Sequence, residues 1–99
     1  MQQGKTRRVA RDNQDSVETR LRSLLATTLG LSAKTVKTFD AETELFGALP
    51  EFDSMAVATL LTGIEEEYDV LIEDDDVEAE DFQTFGALNA FVERLAARA

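Results

Sequence analysis

The stretch PEFDSMAV, residues 50 to 57, sets an Asp-Ser pair three positions after the only proline of the chain, at the head of an apolar run. A serine hydroxyl in such a place can attack a substrate, cap a helix, or receive a group made elsewhere. Attack needs a neighbouring base to take the hydroxyl proton, and the chain has no histidine and no cysteine. Lys34 and Lys37 are the remaining basic candidates, and no motif ties either to Ser54. Two roles are left. A hydroxyl in the first helical turn lies beside free N–H groups and the positive end of the helix dipole, where an attached phosphodiester is favoured. Asp-Ser before an apolar run is equally an ordinary N-cap signature, so a plain cap is the alternative.

The carboxylates carry less chemistry than their number implies. With 20 Asp and Glu in 99 residues, no pair stands out as a general acid and base for glycoside hydrolysis. The run Glu73, Asp74, Asp75, Asp76 with Glu78, Glu80 and Asp81 lacks the D-x-[DN]-x-[DN]-G spacing of a calcium loop. The sequence therefore predicts no catalytic residue and no specific metal site.

Charge says more about partners. The net charge is −10, yet Lys5, Arg7, Arg8 and Arg11 against Asp12 make residues 1–14 net +3, which leaves −13 for residues 15–99. A field of that sign repels nucleic acid and anionic lipid and steers basic protein surfaces toward it. No apolar run approaches the roughly 20 residues of a membrane span, and no signal-peptide pattern opens the chain. The expectation is a soluble, cytoplasmic monomer without nucleic-acid binding or stable membrane insertion.

Four helical segments must position these groups. The first opens at Asp15, with Glu18 three residues on, and carries an apolar stripe of Val17, Leu21, Leu24, Leu25 and Leu29 up to Gly30 as its C′ residue. Residues 30–52 show no sustained period, although Val36, Phe39, Leu45, Phe46, Leu49 and Phe52 predict a packed loop. Pro50 keeps a helix from running through and leaves Asp53 or Ser54 to start the second, over about 54–68, whose face is Val57, Leu60, Leu61, Ile64 and Tyr68. A short third helix is expected over about 75–82, anchored by Val77 and Phe82. The fourth takes Thr84 as N-cap, then Phe85, Leu88, Phe91, Val92 and Leu95. Residues 70–72 are too short for a strand. The fold class is all-α, a small four-helix bundle, with a flexible basic tail over 1–14 and one domain over 15–97.

Residues 15–97 resemble the acyl carrier protein family. The matching pieces are Asp53-Ser54-Met55 for the family's Asp-Ser-Leu motif, EEEYDV closing the second helix, an acidic short third helix, and TFGALNAFV opening the fourth. The resemblance implies a bundle with a long loop between helices 1 and 2, and 4′-phosphopantetheine covalently on Ser54, flanked by Asp53 and Met55. It also implies a separate holo-acyl-carrier-protein synthase that installs the group from coenzyme A, and acyl-loading and acyl-transfer enzymes with basic docking surfaces. Docking is expected to use Glu65, Glu66, Glu67, Asp69, Asp74, Asp75 and Asp76. Core positions Val57, Leu61, Ile64, Phe85 and Val92 would double as room for an acyl chain between loosely packed helices.

The chain departs from the family pattern in two places. Glu51 and Phe52 stand where a glycine usually precedes the Asp, and Ala56 and Thr59 stand where acids usually follow the motif on the exposed face. LPEFDSMAV is similar to carriers associated with exosortase and exopolysaccharide clusters, which points away from housekeeping fatty acid synthesis. An aminoacyl or peptidyl carrier, and an unmodified helical interaction protein, remain as alternatives.

Overall fold

The structure, a computed structural model, describes residues 17–98. The expected basic tail over 1–14 and the Asp15 cap lie outside them. Helix α1 runs over 17–29 and buries Val17, Leu21, Leu25 and Leu29 of its expected stripe, with Leu24 half-buried beside them. Gly30 takes a left-handed φ of 71°, and the Leu31 amide donates to the Ala26 carbonyl at 3.0 Å, the closure that stops a helix at a glycine.

The long connection contains structure that its lack of period concealed. Helix α2, Ala33–Lys37, is capped by Ser32, whose hydroxyl accepts from the Thr35 amide, and its Val36 is buried. Arg22 of α1 locks it in place by donating to the carbonyl of Val36 (2.6 Å), in its last turn, and to that of Phe39 (3.0 Å), just past its end. The guanidinium also lies 4.5 Å from the Phe85 ring centroid.

Residues 41–46 are then tied to the start of the last helix. The Leu45 and Phe46 amides donate to the carbonyls of Gln83 and Phe82, while the Phe85 and Gly86 amides donate to those of Thr43 and Ala41. A β-carbon at Gly86 would stand 2.7 Å from the Ala41 carbonyl oxygen, so this close approach requires glycine. Glu44 and Thr84 form an isolated antiparallel bridge, and no strand occurs among the described residues.

Helix α3, Ser54–Tyr68, keeps the expected bounds. Its most buried line is Ala56, Leu60 and Ile64, with Val57, Leu61 and Tyr68 half-buried beside it, so the inward face is rotated from the one the spacing predicted. Asp69 closes the helix at a left-handed φ of 54°, a place that Asp fills more readily than most residues.

The third helix expected over 75–82 is instead two 3₁₀ turns, Asp74–Asp76 and Ala79–Phe82. Each is stapled by an acid three residues along: Asp76 accepts from the Glu73 amide and Asp81 from the Glu78 amide, both at 2.9 Å. The two E-x-x-D staples lie five residues apart, out of helical register, and Val77 between them is extended (φ −113°, ψ 130°). Phe82 is buried as expected, and Val77 is only half-buried.

Helix α4, Phe85–Arg98, begins where Thr84 accepts from the Ala87 amide at 3.1 Å. It buries Phe85, Leu88, Phe91, Val92 and Leu95 against the other helices.

Candidate attachment site

Ser54 is the first residue of α3, and its side chain is exposed. The cap is Asp53. Its backbone is extended (φ −99°, ψ −173°), and its carboxylate accepts from the Ala56 amide at 2.9 Å. The Asp53 carbonyl takes the Val57 amide at 3.0 Å as the first helical bond. Among the described residues no hydrogen bond uses the Ser54 hydroxyl, or the amides of Ser54 and Met55. The hydroxyl is thus released from the capping role that the sequence left open between these two residues.

The approach to the helix is fixed from below. The Phe52 amide donates to the Leu49 carbonyl at 3.0 Å, and the Phe52 ring is buried. Met55, by contrast, is 77% exposed beside Ser54. Thr59 is exposed and donates to the Met55 carbonyl, whereas Ala56 is buried. Ala56 therefore does not replace an acid on the outer face, as its place in the sequence implied. It faces the core.

The seven acids read as a docking set fall into two groups. Glu65 accepts from the Ile72 amide at 2.8 Å, Glu67 pairs with Arg20 at 3.3 Å, and Asp76 holds Arg98 at 3.1 Å. Glu66, Asp69, Asp74 and Asp75 are exposed, with no side-chain hydrogen bond or ion pair among the described residues. The Arg98 hydrogen bonds and the Glu73 amide hold the Asp76 carboxyl below the usual carboxylate range, and Asp76 in turn raises Arg98. Burial pushes the Tyr68 phenol up, against the opposing charge of Arg20. Tyr68 lies at the other end of α3 from Ser54.

A family model described as a phosphopantetheine attachment site matches residues 19–92. The chain belongs to that family. A solution NMR structure of a holo acyl carrier protein from Nitrosomonas europaea is 38% identical to it, with 79% of this chain and 92% of that one covered and a TM-score of 0.68. No curated protein matches the chain. The phosphopantetheine-attachment domain thus has the acyl carrier fold that its sequence pattern implied, with phosphopantetheine as the family's prosthetic group.

The residues at Ser54 fit that group. The hydroxyl is exposed and unengaged, two amides at the positive end of a 15-residue helix are open to an anion, and the fixed cap holds the attachment point on a rigid element. Sequence reasoning missed Phe52 and Arg22. The first was noted as one of the loop's packed apolar residues and as a departure from the family pattern, not as part of the site, and the second showed no signal beyond lying one turn from Glu18.

Proposed function

We propose that the protein is an acyl carrier whose Ser54 hydroxyl bears 4′-phosphopantetheine, installed from coenzyme A by a separate holo-synthase. When bound, the group supplies a terminal thiol that holds an acyl group as a thioester, the sulfur this cysteine-free chain lacks. The chain itself does no catalysis. It presents the tether from the head of α3, with Asp53 setting the position of Ser54 and Met55 offering an apolar contact to a partner.

The observation that carries this reading is that Asp53, not Ser54, caps α3. An exposed serine at a helix start with no structural duty is what an attachment site requires, and it weighs against an unmodified interaction protein. Residues 15–97 serve as the carrier domain. Glu66, Asp69, Asp74 and Asp75 are the acids available to basic partner enzymes, while Glu65, Glu67 and Asp76 contribute to the fold first. The pathway is a specialised one, of the exopolysaccharide or exosortase-linked kind, in the cytoplasm, with the protein acting as a monomer.

Intact mass after incubation with coenzyme A, magnesium and an active holo-synthase tests the proposal. A gain of one phosphopantetheine that disappears in Ser54→Ala supports it, and no gain with a synthase active on another carrier rejects it.

A further inference from the structure

The interior below Ser54 is filled by a file of aromatic rings. Phe46 is 44% exposed at the surface. Its ring meets Phe52 edge-on at 5.9 Å, Phe52 meets Phe82 edge-on at 6.2 Å, and Phe82 meets Phe91 at 6.0 Å. The file thus runs from solvent to the centre of the bundle. Phe52, Phe82 and Phe91 are all buried, and Leu45, Leu60, Ile64 and Leu88 beside them are completely so.

Phe52 stands two residues before the attachment point, and both flanks are held. Its own amide is bonded to Leu49, and the next residue is the helix cap. The ring therefore fills the interior at the entrance to the helix that carries Ser54, and it cannot leave that place without breaking its contacts with Phe46 and Phe82. An apolar chain entering there gains burial one methylene at a time, but it must first remove a whole ring from two edge-to-face contacts. Nothing in that exchange favours a short chain, because protein interiors do not leave such space vacant.

We propose that Phe52 is a specificity-determining residue that closes the bundle to cargo, so that acyl groups up to medium length stay on the outside of this carrier. The inference rests on the attachment of phosphopantetheine at Ser54. It also replaces the expectation of loose packing with a filled core in which Ile64, Phe85 and Val92 are structural, and Val57 and Leu61 sit at its edge. A carrier of this kind suits cargo that partner enzymes must reach without extracting it, such as short or polar acyl groups.

The test uses the full chain loaded by a holo-synthase from acetyl- or octanoyl-coenzyme A, with intact mass verifying one acyl-phosphopantetheine per molecule. Absence of that mass sinks the attachment at Ser54; the remaining readouts judge Phe52 alone. In the wild type, the acetyl and octanoyl forms are expected to share one melting temperature, with unshifted Phe52 and Phe82 ring resonances. In Phe52→Ala, octanoyl is expected to raise the melting temperature by about 4–8 °C over acetyl, as a ligand filling the vacated space does. The thioester should also resist hydroxylamine several-fold longer. Phe52→Leu serves the same purpose if the alanine variant does not fold. Ring shifts and a raised melting temperature in octanoylated wild type would overturn the proposal, and so would a cavity variant that gains nothing from octanoyl.

Discussion

The Asp53 carboxylate accepts the Ala56 amide proton at 2.9 Å, spanning Ser54 and leaving its hydroxyl outside the helix cap. One short hydrogen bond thereby separates two duties that a lone Asp-Ser pair leaves ambiguous. Removing the acceptor in Asp53→Ala is expected to cost about 1 kcal/mol, while Asp53→Asn keeps an acceptor and stays within a few tenths of that scale. Ser54→Ala is expected to stay within about 0.5 kcal/mol of wild type. Urea denaturation checks all three, and a large loss in Ser54→Ala would show that the hydroxyl has a structural role.

Arg22 connects three elements by itself. It donates to the Val36 carbonyl in α2 and to the Phe39 carbonyl just after it, is braced by Glu18, and lies over Phe85 at the start of α4. Arg22→Ala is expected to destabilise the domain by about 3 kcal/mol, since hydrogen bonds involving a charged group are each worth about 1.5–3. Arg22→Lys should restore little, because a single ammonium cannot reproduce the planar fork that reaches both carbonyls and the ring. Chemical denaturation of the two variants provides the comparison.

Acid should loosen the loop that follows α3. Asp76 grips Arg98 through both carboxylate oxygens, and Arg98 also donates to the Leu71 carbonyl. Because the folded Asp76 carboxyl sits below its ordinary value, its contribution is fully present above about pH 4 and is lost as pH falls through the lower folded value. A carbon-13 titration of the Asp76 carboxyl should give a midpoint below that of an unpaired aspartate, and Arg98→Ala should raise that midpoint, with the Glu73 amide still donating to the carboxylate.

Charge repulsion should make stability depend on salt. Residues 38–93 contain no lysine or arginine, so the acids there repel one another with few cations between them. Raising the salt from about 0.05 M to about 0.5 M should raise the melting temperature, since the screening length falls well below the size of the domain. An unchanged or falling melting temperature would mean that ion pairs such as Arg20 with Glu67 outweigh the repulsion.

The sequence made the long helices legible because a single period governs them. Leu21, Leu25 and Leu29 on α1, and Leu88, Val92 and Leu95 on α4, are buried where spacing placed them. The connection over 30–52 was illegible for the opposite reason. Val36 enters the core on a five-residue helix too short to show a period, and Leu45 is placed by backbone bonds to Gln83, far off in the chain. The E-x-x-D staples at Glu73 and Glu78 were visible as spacing but were absorbed into one acidic run. At the site, Ser54 stood out because the chain offers nothing to activate it, while Phe52, which resembles any other core residue, emerged only from its contacts with Phe46 and Phe82.

The most direct measurement is peptide mass mapping of protein recovered from its native cell. No lysine or arginine lies between Lys37 and Arg94, and Ser54 is the only serine in that interval, so cleavage with trypsin isolates the site in one fragment. The account predicts that this fragment, residues 38–94, carries the mass of one phosphopantetheine or its acyl thioester. A fragment that is bare under every growth condition would contradict it.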